Sequence, residues 1–190
     1  GTVIPGWRGD TLVVGNYQQD DNATLNITFD TNGNHTALEV KNSAPLGGTL
    51  IFTPQSNVFY QNGSYSLSGN AVTAQTISGD FDTKIAQTDS PTLSLSLDTE
   101  GNDIVVNIDR PANAYSQWAQ NSSQASVGSV LSTIAQTSSA DMQSLISTID
   151  WSGADGHGVT TALRALTPSA YSEAGRSSVI EQNEFDVSVL

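Results

Sequence analysis

Residues 9–29 read G-D-T-L-V-V-G-N-Y-Q-Q-D-D-N-A-T-L-N-I-T-F, two runs of alternating apolar residues joined by a polar bend. Leu12 and Val14 carry the first run; Leu25, Ile27 and Phe29 carry the second. A period of two across β-branched and aromatic residues puts side chains on alternate faces of a strand, so one face of each run can be buried. The phrase returns at residues 47–52 as G-G-T-L-I-F, again a small-residue corner followed by Thr-Leu and an apolar strand. Nothing in the stretch has catalytic character, and it is read as scaffold.

With 190 residues the chain can form one sizeable core, or an elongated repeat body with an appendage. Charged residues make up 13%, against about 25% in a typical globular domain. Ser, Thr, Asn, Gln and Gly fill the difference, which suits turn-dense β structure. The net charge of −13 argues against nucleic acid or anionic lipid as partners, since both would repel an acidic surface. The absence of cysteine excludes disulfides, thiolate metal sites and cysteine nucleophiles from the chain. No apolar run reaches the roughly 18 residues of a membrane-spanning helix. The chain opens on Gly1-Thr2 with neither an initiator Met nor a signal peptide, and it is read as a segment of a longer protein.

Beyond the opening unit, Asn32-Gly33 marks a tight turn feeding a strand with Leu38 and Val40 on one face. Further short alternations follow at Leu50 and Phe52, Tyr65 and Leu67, Val72 and Ala74, and Ile77 and Phe81. Leu93, Leu95 and Leu97 form another face, and residues 98–103 turn the chain into Ile104, Val106 and Ile108. Short strands at near-regular spacing fit a sandwich or a solenoid. The recurring turn-Thr-Leu phrase and the polar corners favour the solenoid, in which each coil buries its inward side chains against its neighbours.

At Arg110-Pro111 the period changes from 2 to about 3.6. Asn113 is expected to cap a helix carrying Tyr115, Trp118 and Ala119, and Asn121 or Ser122 to cap one striped with Val127, Val130, Leu131 and Ile134. Ser138-x-x-Asp141 resembles a capping box ahead of Met142, Leu145, Ile146 and Ile149. Gly153 and Gly156 precede a helix through Leu163 and Leu166, and Thr167-Pro168 opens a last one with Pro in its first turn.

Several of these pieces, in this order, resemble the C-terminal end of the passenger region of type V autotransporters, the self-exporting surface proteins of Gram-negative bacteria. They are residues 9–17 (G-D-T-L-V-V-G-N-Y), 23–29 (A-T-L-N-I-T-F), 46–52 (L-G-G-T-L-I-F), 104–108 (I-V-V-N-I), 121–131 (N-S-S-Q-A-S-V-G-S-V-L) and 162–171 (A-L-R-A-L-T-P-S-A-Y). The resemblance implies a mainly β fold: the terminal coils of a right-handed parallel β-helix over residues 1–110, followed by a cluster of short α-helices over residues 111–178. Residues 179–190 would be an acidic tail leading toward a β-barrel that the sequence does not contain. The implied role is a non-catalytic autochaperone or stalk that seeds folding and outer-membrane export of upstream passenger, at the cell surface or secreted through the periplasm. The partners would be the upstream coils and the chain's own downstream barrel, with end-to-end self-association of the isolated segment.

A physical mechanism follows independently. A terminal coil presents unpaired backbone groups onto which another segment can add as a strand. The expected open end is residues 9–14, with Leu12, Val14, Leu25, Ile27 and Phe29 as its inward stack. The helices are expected to shield the opposite end, with Tyr115, Trp118, Val127, Leu131 and Ile134 packing them on the last coils.

Other motifs have a turn or core reading beside a functional one. Arg8-Gly9-Asp10 is an RGD tripeptide and a candidate host-cell receptor contact, as is an exposed coil face, but Gly9-Asp10 also suits the turn before a strand. Asp30-x-Asn32-x-Asn34 resembles the start of a calcium loop, but His35 stands at the sixth place and Lys41 at the twelfth, so a hairpin is the expected reading. His35 and His157 lack metal-pair spacing, and no G-x-S-x-G elbow is present. No cofactor, metal or catalytic residue is assigned; a hydrolase reading would place its active site upstream, with this chain as its non-catalytic tail. Tyr115, Trp118 and Trp151 could form a sugar-stacking platform, but aromatics at helical spacing are more often core.

Overall fold

The computed structural model describes residues 1–6, 10–100, 103–137 and 139–168. Among the described residues ten strands come first: β1 (Thr2–Val3), β2 (Thr11–Val14), β3 (Thr24–Phe29), β4 (Ala37–Leu46), β5 (Thr49–Pro54), β6 (Gly63–Leu67), β7 (Val72–Gly79), β8 (Thr83–Ala86), β9 (Ser94–Glu100) and β10 (Asp103–Asp109). A 3-10 turn (Ser116–Trp118) and helices α1 (Ser122–Thr137), α2 (Ala140–Asp150) and α3 (His157–Leu166) follow. The protein is mainly β, with helices grouped after the strands.

The early strands alternate between two parallel sheets. One has the order β1-β3-β5-β8 and the other β2-β4-β7; β1–β3, β2–β4 and β3–β5 join a strand to the next but one, whereas β4–β7 and β5–β8 are three strands apart. Parallel neighbours need a crossover, and here a strand of the other sheet supplies it. The Thr-Leu phrases lie in register: Thr24 faces Thr49 and Leu25 faces Leu50. Thr2 and Thr83 continue the same row on β1 and β8.

In β3 and β5 every second residue is buried, starting from Leu25 and Leu50. Leu25, Ile27, Phe29, Leu50 and Phe52 meet Leu38, Val40 and Val72 of the other sheet in one core. Each such side chain contributes about 1.5–3 kcal/mol when fully enclosed.

The corner before β5 needs its glycine. Gly48 has φ +63°, and a Cβ there would run into the Ala23 and Asp20 carbonyl oxygens. Its N–H donates to Asp82 Oδ2 at 2.6 Å. Buried Gln19 ties the same corner together, donating to the Thr49 and Ala23 carbonyls at 3.1 and 3.3 Å.

At Asp30 the expected hairpin is reduced to one antiparallel bridge, Phe29 to His35, after which β4 joins the other sheet. There Leu38 and Val40 pair in register with Leu12 and Val14 on one side and with Val72 and Ala74 on the other, and they meet β3 across the core rather than along a ladder. Asp30 Oδ1 accepts the Asn32 and Asn34 N–H groups, and Oδ2 accepts Asn34 Nδ2. Partial burial pushes this carboxyl up, but those bonds outweigh it and hold it below the usual range. Both oxygens serve the turn itself.

Parallel pairing does not extend through residue 110. Strands β6, β10 and β9 form an antiparallel sheet, with Leu97 facing Val106 and Leu95 facing Ile108 across β9 and β10. A short connection returns the chain on itself and allows only antiparallel pairing. β6 then pairs with the other edge of β10. This sheet adds Leu67, Val106 and Ile108 to the core of the parallel sheets, and β9 rather than a helix lies against β8.

In the helical part, Asn121 caps α1, its Oδ1 accepting the Gln124 N–H at 2.9 Å. The helix expected from Asn113 is only the 3-10 turn, and α1 crosses it closely: a Cβ on Gly128 would fall 2.7 Å from the Ser116 backbone. Ser139, not Ser138, holds the cap position of α2 and makes no side-chain cap bond; Ser138 lies outside the described residues. Asp155 Oδ1 accepts the His157 N–H at the start of α3. The expected last helix from Pro168 and the acidic tail also lie outside the described residues, apart from Pro168 itself.

Candidate functional site: open strand edges and a buried joint

Two features merit functional reading. The first is the β1/β2 edge of the two parallel sheets. No described strand pairs with the outer side of β1 or β2. The inward residues Leu12 and Val14 are only half-buried, whereas their register partners Leu38 and Val40 are 0% and 2% exposed. The stack is one-sided at this edge, and the columns end in the apolar side chains Val3, Leu12 and Val14. The far edge differs, because the column through Leu25 and Leu50 ends at Lys84 of β8, which is ion-paired with Asp80 at 2.9 Å. A lysine at that place blunts strand addition. Leu25, Ile27 and Phe29, expected with Leu12 and Val14 as one inward stack, are fully enclosed but belong to the other sheet.

The second feature joins the strands to the helices. Arg110 follows β10, Asp150 ends α2, and they form an ion pair with 2% and 0% exposure. Asp150 Oδ1 accepts the Thr92 hydroxyl at 2.6 Å and the Tyr115 hydroxyl at 2.7 Å, while Oδ2 takes Arg110 Nη2. Arg110 Nη2 also donates to the Tyr60 carbonyl at 3.2 Å, and its backbone N–H to Asn62 Oδ1 at 3.0 Å. Arg110 Nε and Nη1 are buried without hydrogen-bond partners, and the guanidinium lies 5.4 Å from the Phe59 ring centroid. The aromatic face offsets part of their desolvation. Burial pushes the Arg110 pKa down, and the Asp150 charge more than reverses it. With Thr92 and Tyr115 also at most 2% exposed, substrate has no access to these groups, and the cluster acts as a joint.

Burial, followed by the Asp150 charge, pushes the Tyr115 phenol above its ordinary 10.0; burial does the same to Tyr60. The folded chain therefore keeps protons that the unfolded chain loses above pH 10.0, so stability is full below that pH and falls as pH rises past it. Urea midpoints on either side of pH 10.0 should show this fall. Tyr115→Phe should flatten the slope while losing about 1.5–3 kcal/mol for the bond to Asp150.

The residues expected to pack helices on the last coils behave differently. Tyr115 and Leu131 are buried in a second core with Ala135, Ile146, Ile149, Val159 and Leu163; Trp118 and Val127 pack against it. Ile134 is half-buried beside a groove along α1. The stripes cover one another because each helix offers the nearest apolar face. Trp151 makes the crossing instead, packing on the strand core 6.4 Å from the Tyr60 ring, with its Nε1 donating to the Val58 carbonyl at 2.8 Å. Tyr115, Trp118 and Trp151 thus form no sugar platform: Tyr115 is 0% exposed, and Trp118 Nε1 is buried.

Of the RGD tripeptide, Arg8 and Gly9 lie outside the described residues; Asp10 is exposed, and its carbonyl accepts the Ala37 N–H at 3.1 Å. His35 sits in the turn before β4 with its ring nitrogens at the Thr36 and Ser68 carbonyls, and His157 opens α3. Among the described residues no three His, Asp or Glu side chains are grouped to hold a metal ion. No described helix is long and apolar enough to cross a membrane.

Sequence reading missed Arg110, Asp150, Tyr60 and the crossing role of Trp151. Arg110 is one of only six basic residues and stands where the period changes, and Asp150-Trp151 ends an apolar helix stripe; together these are the available signal. Comparisons of this chain with protein-family models, with curated proteins and with solved structures return no match.

Proposed function

We propose that this chain is a non-catalytic folding and export segment of an autotransporter passenger, with its alternating parallel strands as coils of a right-handed β-helix. The supporting observation is the asymmetry of the edges. The β1/β2 side ends in half-buried apolar residues with no described partner strand, whereas Lys84 ends the far side of one sheet. An upstream segment adding there would gain backbone bonds of about 1 kcal/mol each and about 25 cal/mol per Å² of apolar burial. The energy is local and needs no nucleotide, as surface folding after export requires. The Arg110–Asp150 joint would keep the helical end attached while coils add at the other. In this reading the chain resides at the surface of a Gram-negative bacterium or is secreted from it. Its partners in cis are the upstream coils and a downstream barrel.

The test is the parent protein with residues 9–108 deleted and any barrel intact. Upstream passenger that reaches the surface but is readily digested is the expected result. Passenger as protease-resistant as before would reduce this segment to a spacer.

A further inference from the structure

A cleft of about 330 Å³ lies between the ends of β3 and β5 and the connection from α2 to α3. Thr28 and Thr53 pair in register along one wall, on the face opposite the buried Ile27, Phe29 and Phe52, so they stand on strands about 4.7–4.9 Å apart. Asn57 enters from the corner after β5, Asp89 from the bend after β8, and Trp151 from the end of α2. Among the described residues, the side chains of Thr28, Ser56, Asn57 and Asp89 make no hydrogen bond within the protein, so their polar atoms are free to meet a ligand.

The walls are held in place by contacts behind them. The Gln55 N–H donates to the Phe29 carbonyl at 2.8 Å and to the Tyr60 hydroxyl at 2.9 Å, which pins the corner carrying Ser56 and Asn57. Asn57 has φ +61°, a left-handed conformation that Asn tolerates better than most residues. Asp89 precedes Ser90, whose hydroxyl lies 3.1 Å from the Thr92 hydroxyl, and Thr92 in turn donates to Asp150. Trp151 follows Asp150, so the buried joint sets both the carboxylate and the indole of the cleft. The indole cannot turn freely, since its Nε1 is committed to the Val58 carbonyl and the ring packs on Tyr60; the part left exposed lines the cleft.

The lining selects a class of ligand. No basic side chain lines the cleft and Asp89 brings a negative charge, which disfavours phosphate and other anions. A single carboxylate is too few hard ligands for a divalent cation. A lone indole is no aromatic cage for a quaternary ammonium group. Hydroxyls, an amide and a carboxylate around one aromatic surface match a neutral pyranose, whose C–H face is apolar and whose rim is hydroxyl-bearing. The volume falls at the lower end of the about 300–1,000 Å³ of small-molecule pockets, as a single sugar unit requires.

We propose that this cleft binds a neutral sugar residue, stacked on Trp151 with its hydroxyls donating to Asp89 and bonded to Asn57. Trp151 acts here with the strand ends, not with Tyr115 and Trp118, and the proposal does not rest on the export reading.

The test is amide-shift mapping of the full chain by NMR with maltotriose, cellotriose, mannotriose, chitotriose and lactose as neutral probes, and choline as a cationic one. At least one sugar should shift residues 53–57, 87–90 and 151–154 together and saturate in the millimolar range, about −4 kcal/mol. Asp89→Ala combined with Asn57→Gly should weaken that affinity at least about tenfold, because a charge-assisted hydrogen bond and a neutral one are lost. Both residues are exposed and glycine suits the φ of Asn57, so the fold should survive, as an unchanged spectrum away from the cleft would show. Glu39→Ala, at an exposed acid of β4, controls for lost charge and should leave the affinity as it was. No binding of any sugar, shifts confined to other residues, an unchanged affinity in the double variant, or an equal loss in Glu39→Ala would each overturn the proposal. Choline shifting the cleft residues where no sugar does would assign the site to a cationic group instead.

Discussion

Asp150→Asn is expected to lower the unfolding free energy by about 3–5 kcal/mol, because it leaves the buried Arg110 guanidinium without its counter-charge. The asparagine oxygen can still accept the Thr92 and Tyr115 hydroxyls that bond to Asp150 Oδ1, so the loss reports the charge more than the polar contacts. Adding Arg110→Met to the same variant removes the orphan cation and should restore about 2 kcal/mol or more, giving a coupling well outside additivity. Urea unfolding followed by tryptophan fluorescence measures both, since Trp151 adjoins Asp150 and packs on the strand core. A loss below about 1 kcal/mol for Asp150→Asn would mean that the pair is solvated and joins nothing.

Phe52→Ala should cost about 3–5 kcal/mol. Phe52 is 1% exposed and stacks in register between Ile27 of β3 and Ala86 of β8, so no neighbour can swing in to fill the space without breaking the ladder. Leu12→Ala, on the half-buried edge strand, should cost only about 1 kcal/mol, roughly half the value of full leucine burial. The contrast is the informative quantity. In a longer chain that supplies a strand beyond β2, the Leu12 cost should rise toward the about 2–5 kcal/mol typical of an enclosed leucine. Equal costs for the two variants in this chain would show β2 to be as enclosed as β5 and would remove the basis for the folding role.

The strand pattern was legible because burial imposes it locally. Leu25, Ile27 and Phe29 alternate because one side of β3 meets the core, and that alternation can be read without knowing the partner. The recurrence of Thr-Leu announced the in-register pairing of Thr24 with Thr49, and the change of period at Arg110 marked the move to helices. The partners of β6 were not legible. Its residues Tyr65 and Leu67 alternate like any others, and nothing local says that they pair antiparallel with Val106 and Ile104 rather than parallel with a neighbouring coil. The joint was hidden for a similar reason. Arg110 and Asp150 have no spacing relation in sequence, and each alone suggests a solvated charge. Of the residues expected to bridge two units, Leu131 packs within the helical core, whereas Tyr115 lies in that core and also reaches the joint through Asp150, because an apolar stripe shows that a face is covered without showing by what.

The pairing of β6 with β10 makes the order in which the chain becomes available matter. Strands β2 and β3 find their later partners, β4 and β5, with one strand between, as Leu12 with Leu38 and Leu25 with Leu50. Residues 63–67 must wait until residues 104–108 exist, a longer separation than that of Leu25 from Leu50 or Leu38 from Val72. A chain released from its N-terminus would therefore expose β6 as an unpaired strand for the longest time. A chain released from its C-terminus would meet the opposite situation: the β9–β10 hairpin could close within microseconds and stand ready as β6 emerged. The same sequence thus carries a polarity in time, folding with fewest unpaired edges when its last residues come first.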